Sequence, residues 1–185
     1  MEFFRLEHGK AAYRADFVFY GVAICALALA LASVPRQDPW WWWLSLIVLG
    51  LFSWSVIEYA LHRYVLHGLQ PFQRWHAMHH ERPQALIATP TLITAAAFLG
   101  LVFAPAWALG SMGAACAWTL GVLIGYLAYA LTHHATHHWR GQGRWLLQRK
   151  RHHALHHSKS HGGCYGVTSS LWDVALGTDR LKTPR

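Results

Sequence analysis

Ten of the fifteen histidines stand in four tight boxes, and each box lies at the end of an apolar segment or just beyond one. The boxes are His62-x4-His67, His76-x2-His79-His80, His133-x3-His137 and His153-x2-His156-His157. Imidazole is a good ligand for Fe, Zn, Cu and Ni. So many imidazoles at helix-compatible spacing imply more than one metal ion beside a lipid phase. The chain must then fold so that the ends of several membrane helices meet at one place.

Four apolar stretches are long enough to span: about 17–34, 40–61, 86–109 and 112–132. A span needs ~20 residues at ~1.5 Å each. The chain is 54% hydrophobic and 13% charged, about half the usual charged share of roughly 25%, so a bilayer is its expected solvent. Pro35 ends the first stretch without a small-residue cleavage site, so it reads as a span rather than a secretory signal. The third and fourth stretches, split only at Gly110-Ser111, read as a helical hairpin; Pro90 is expected to start or kink the third and Pro105 to end it early. Small residues in these two spans (Ala95, Ala96, Ala97, Gly100, Gly113, Ala114, Ala115, Gly121 and Gly125) permit close helix packing, or a slot for an acyl chain.

The expected architecture is all-α: a bundle of four transmembrane helices with a cytosolic helical cap, about 62–85 and 133–185, within a single domain over 1–185. Of sixteen Lys and Arg, only Arg36 falls in the far-side loop, which puts both termini and the boxes in the cytosol, as at a bacterial inner membrane. Trp40–Trp43 suits the opposite interface. The +8 formal charge fits anionic headgroups, and its spread along the membrane edge excludes nucleic acid as a partner. Cys25, Cys116 and Cys164 are scattered and make no disulfide framework. No segment is left for a fused haem or flavin module, so electrons are expected from a separate protein.

Within the boxes, His62 and His67 are five apart, about 140° around an ideal helix. Both reach inward only if they serve different metals or the helix loosens at its end. Glu58, one turn before His62, is a candidate acceptor for the second N–H of a ligating imidazole, or a partner for Arg63. His76, His79 and His80, at i, i+3 and i+4, share one helical face as a natural ligand triple. His153, His156 and His157 repeat the pattern. His152 is expected to point toward solvent, and Arg149-Lys150-Arg151 toward headgroups. In the third box two i, i+4 pairs compete, His133 with His137 and His134 with His138, and periodicity does not choose between them.

At HRYVLH, WHAMHH and HHALHH the chain resembles the fatty acid hydroxylase/sterol desaturase superfamily of membrane oxygenases, over roughly residues 50–180. Tyr165–Asp173 is similar to the family's closing segment beside the metal site. Gly125–His133 is similar to a stretch of the fatty acid 2-hydroxylase branch, with Ala130 standing where that branch carries an acidic residue and His134 where it carries Tyr. The resemblance selects His133 and His137 in box three. It implies a dinuclear iron site with ten ligands: His62, His67, His76, His79, His80, His133, His137, His153, His156 and His157. It further implies O2 as co-substrate, an external electron donor of ferredoxin or cytochrome type, and a lipid or fatty-acyl substrate. Zinc has no redox chemistry and would be a substitute for iron in purified protein.

The expected activity is hydroxylation of an acyl chain or other lipid C–H bond. A carotenoid ring hydroxylase is the alternative, because short enzymes of that kind share HRYVLHG-like and WHxxHHERP-like boxes; a lipid desaturase is a third. A metal transporter would place its site near the bilayer midplane, whereas these boxes gather at one face. A bis-histidine haem anchor would show intense visible absorption. Metal affinity is expected to fall in acid, since only neutral histidine ligates.

Overall fold

The computed structural model describes residues 6–34, 38–158 and 162–181; Pro35, Arg36 and His161 lie outside the described residues. The chain is helical, with no strand among the described residues beyond an isolated antiparallel bridge between Glu7 and Ile87. Its helices are α1 (Lys10–Ser33), α2 (Trp40–Leu66), α3 (Phe72–Glu81), α4 (Thr91–Leu109), α5 (Met112–His138), α6 (Arg144–His156) and the short α7 (Leu171–Ala175). The helices α1, α2, α4 and α5 are long and apolar enough to cross a membrane.

The span boundaries differ from those read off hydropathy. The first helix begins at Lys10 and takes in Asp16, which hydropathy places outside the span and whose Oδ1 accepts a bond from Thr91 Oγ1 at 2.7 Å. The third begins at Thr91, after Pro90, because Leu86 and Ala88 pair with the segment Leu6–His8 instead of coiling. Pro105 does not end it. A wide π-turn at Phe98–Phe103 precedes the proline, opening the backbone where its ring would press on the preceding turn and its missing N–H leaves a carbonyl free.

The chain divides into two compact units, Met1–Trp54 with Leu86–Leu127, and Ser55–Ala85 with Ala128–Arg185. In the first, α5 is the buried helix: Ala115, Cys116, Ala117, Leu120, Val122 and Leu123 are all sheltered. The other helices present large apolar side chains outward, Leu29 at 69% and Leu101 at 79% exposure, as lipid-facing positions do. Helices α2 and α5 meet backbone to backbone. A Cβ on Gly121 would strike the carbonyl of Ile47, and one on Gly50 the carbonyl of Trp118. Gly113 and Gly125 make room for Trp43 and Trp54. The small residues of α5 therefore serve packing, whereas Gly100 on α4 faces open space. Tyr20, 2% exposed, bonds its hydroxyl to Thr94 Oγ1 and lies edge-on to Tyr126, with centroids 4.6 Å apart, so its polar atom is satisfied inside the bundle.

Candidate metal centre

The second unit gathers all four boxes. Past Ala60 the last turns of α2 widen into a π-helix over Leu61–Leu66. That loosening brings residues five apart together, and the His62 and His67 rings lie 5.3 Å apart. Helix α3 supplies box two and α6 box four. Box three is the last turn of α5.

Nine of the ten candidate histidines form two groups in which the ligating atoms lie within 4.8 Å of one another: His62, His67, His76, His80 and His156, and His79, His133, His137 and His153. His157 joins the second group, its Nε2 3.1 Å from that of His153. Every contact uses Nε2. In the first group His62 meets His76 at 3.0 Å, His76 meets His80 at 3.0 Å, and His156 meets His67 and His80 at 3.1 Å each. In the second, His133 meets His79 at 3.1 Å and His137 meets His153 at 2.8 Å.

The grouping divides two triples that helical geometry had placed together. His76 and His80 stand in the first group and His79 in the second; His153 and His157 stand in the second and His156 in the first. One helical face is broad enough for its i+3 member to lean away from the i and i+4 pair. Each of α3 and α6 therefore serves both groups. His134 and His138 stack on each other at 4.6 Å, outside both.

The residues fit a metal pair. A carbonyl only accepts, so His62, bonded through Nδ1 to Tyr165 O, and His156, bonded through Nδ1 to Gly163 O at 3.0 Å, carry their protons on Nδ1. Their Nε2 lone pairs point into the group. His76 and His156 each face two neighbouring Nε2 atoms with at most one proton to offer, whereas a shared cation satisfies all five donors at once. No carboxylate stands among the ten. An all-imidazole set suits Fe, Zn, Cu or Ni and not the oxygen-seeking Mg or Ca. Burial, then neighbouring imidazoles, hold these rings neutral: His80 is lowered to about 4, His157 to about 3 and His79 to about 2. Burial likewise lowers His67, His76, His153 and His156.

Two expectations fail here, and Glu58 has a further role. Glu58 is turned to the C-terminal segment. Its Oε1 takes the N–H of Val167 at 2.7 Å and of Thr168 at 2.9 Å, and its Oε2 takes the Thr168 hydroxyl; Arg63 donates to the Tyr59 hydroxyl at 2.7 Å. His152 does not face solvent. It is 1% exposed, with Nε2 3.6 Å from Asp173 Oδ2, because the C-terminal segment covers the outer side of α6. Arg149 is also buried rather than turned to headgroups, with Nη2 3.5 Å from Ser170 Oγ, while Arg151 is exposed.

Residue typing missed Asp173 as an organiser. It is fully buried, and its carboxylate accepts the N–H of Tyr165 at 2.8 Å and of Gly166 at 2.7 Å, and the Thr178 hydroxyl at 2.7 Å. The signal available was a lone acid beside Trp172 in a segment otherwise without charge. His152, Cys164 and Asp179 also come within 4.8 Å, but the cation of that pocket is Arg149, whose charge Asp173, Glu58, Asp179 and Cys164 favour against its burial.

A sequence model of the fatty acid hydroxylase family, described as "Fatty acid hydroxylase", matches residues 47–178. The chain belongs to that family. Among similar members, the dihydroceramide fatty acyl 2-hydroxylase FAH2 of Arabidopsis thaliana is 32% identical over 149 residues, 72% of this chain and 60% of that protein. The ceramide very long chain fatty acid hydroxylase SCS7 of Saccharomyces cerevisiae is 34% identical over 152 residues, 72% of this chain and 37% of that protein. The chain thus spans less than two thirds of the length of these relatives. A solved structure of full-length scs7p, in which only the hydroxylase domain is visible, superposes with a TM-score of 0.76 at 27% identity, covering 94% of this chain and 69% of that one. The chain is accordingly a membrane protein of the fatty acid hydroxylase family, with a histidine cluster able to hold metal.

Proposed function

We propose that the chain is an O2-dependent di-iron hydroxylase that converts a C–H bond of a membrane-held fatty acyl chain into C–OH. The names of its relatives favour an acyl chain carried on a ceramide-type lipid and the carbon next to the carbonyl. The carrying observation is the convergence of ten Nε2 atoms into two adjoining groups with no carboxylate among them. One oxygen atom of O2 enters the product; the other leaves as water, with two protons and two electrons from a separate ferredoxin- or cytochrome-type protein. An unactivated methylene offers no acid, base or electrophile, so the reaction needs the redox chemistry that bound iron supplies and zinc lacks.

The chain's own part is positional. The ten ligands are His62, His67, His76, His79, His80, His133, His137, His153, His156 and His157. His62 and His156 are oriented by carbonyls through Nδ1. The apolar helices place the chain in the phase that holds its substrate. Basic residues flanking the boxes, Arg63, Arg74, Arg82, Arg140 and Arg144, support a cytosolic site and the inner membrane.

Lipid mass spectrometry of cells with and without the chain, and with His156→Ala, tests this. The expected result is a 2-hydroxy fatty acyl product that the substitution abolishes. A hydroxylated carotenoid, a desaturated lipid, or a product indifferent to the substitution would overturn it.

A further inference from the structure

The two imidazole groups are not equivalently supported. Residues 163–168 form a strap across the first group only. Two of its carbonyls, Gly163 and Tyr165, take the Nδ1 protons of His156 and His62. The strap is held by two buried carboxylates. Glu58 on α2, 4% exposed, grips Val167 and Thr168; Asp173 on α7, 0% exposed, grips Tyr165 and Gly166. The N–H of Cys164, at a φ of 56°, bonds to Thr178 O at 2.9 Å, so the amides of 164–168 are all engaged. In the second group, Nδ1 of His79 and of His153 is buried and meets no hydrogen-bond partner among the described residues.

We propose that Glu58 and Asp173 are positioning residues that, through the strap, fix the metal-binding tautomer of His62 and His156 and make the first group the tighter of two unequal metal positions. A neutral imidazole must hold its proton on Nδ1 to ligate through Nε2, and a fixed acceptor for that proton both selects the tautomer and raises the basicity of the ligand. Two of the five rings in the first group arrive in that state. In the second, ligation leaves the Nδ1–H groups of His79 and His153 buried without an acceptor, which opposes binding. The inference rests on the two-metal reading above.

The test is a Co2+ titration of the chelator-stripped full chain in detergent, followed by the visible absorption of the bound ion and by competition with a chromophoric chelator. The wild type binds two ions in two steps, the first about 10- to 100-fold tighter, the scale on which outer partners of a ligand act. His67→Ala removes the tight step and His157→Ala the weak one. Glu58→Gln and the milder Thr168→Val weaken the tight step and leave the weak step in place, with far-UV helicity unchanged. Two equal steps, loss of the tight step in His157→Ala, or equal weakening of both steps in the Glu58 and Thr168 variants overturns the strap. Uptake of fewer than two ions by the wild type overturns the two-metal reading itself. An absent lipid product alongside an intact two-step isotherm bears on the proposed reaction and leaves the strap standing.

Discussion

The rings of His80 and His157 stack with centroids 4.2 Å apart and planes 15° from parallel, although each belongs to a different imidazole group. The groups are therefore contiguous and share a wall of stacked imidazoles.

Removing one ligand is expected to cost a metal ion as well as activity. His156→Ala should lower bound iron from two ions per chain toward one or none and take the hydroxylated lipid to background. Elemental analysis of purified protein beside lipid mass spectrometry checks both. Full iron content in the variant would remove His156 from the ligand set.

Acid is expected to destabilise the chain and strip its metal together. Histidines free in the unfolded chain take up protons near pH 6.5. His80, His157 and His79 in the fold do so only at about 4, 3 and 2. Below pH 6.5 the unfolded state thus binds more protons than the folded one, so stability falls as pH falls from 6.5 toward 4 and below. Above pH 6.5 both states are neutral and these groups contribute no slope. Thermal midpoints of metal-free and iron-loaded protein between pH 8 and 4 should show the fall, and iron release should follow the same direction. A midpoint flat over that range contradicts the assignment of buried neutral rings.

Gly121→Val should destabilise the pairing of α2 and α5 by about 1–3 kcal/mol, because the added atoms meet the Ile47 carbonyl, which is backbone and yields little. Gly100→Ala has nothing within 4 Å and should be neutral or stabilise by up to about 1 kcal/mol. Thermal unfolding of the two purified variants against wild type gives the comparison. Equal effects would mean that the glycines of α5 are not packing positions.

Asp173→Ala should loosen the C-terminal strap while leaving the spans folded. Two buried N–H groups lose their acceptor, each costing about 1–3 kcal/mol. Hydrogen exchange should accelerate at the amides of Tyr165 and Gly166 and stay slow within Met112–His138. Uniform acceleration would indicate global unfolding instead.

Much of this molecule was legible in sequence because its strongest signals are periodic. Four apolar runs and four boxes, two of them at i, i+3, i+4 spacing, lead to membrane helices whose ends carry imidazole. The division of ligands between groups was not legible. Spacing puts His76, His79 and His80 on one face, but which ring leans to which group depends on where α2, α5 and α6 arrive. The widening at Leu61–Leu66 follows from tertiary context, since nothing in HRYVLH marks a π-turn. Asp173 and the backbone partners of Glu58 escaped because those partners are backbone amides, more than a hundred residues away for Glu58, and backbone amides have no sequence signature. His152 and Arg149 looked solvent-facing because the segment that covers them is irregular apart from the short α7 and carries no periodicity to read.

The divided loyalties of α3 and α6 give assembly a direction. An ion in the first group would draw on α2, α3 and α6 together, since His62 and His67, His76 and His80, and His156 come from those three. A second ion bound after it would have only the final turn of α5, with His133 and His137, left to recruit. In that order the turn would be the last piece pinned and the first to come apart.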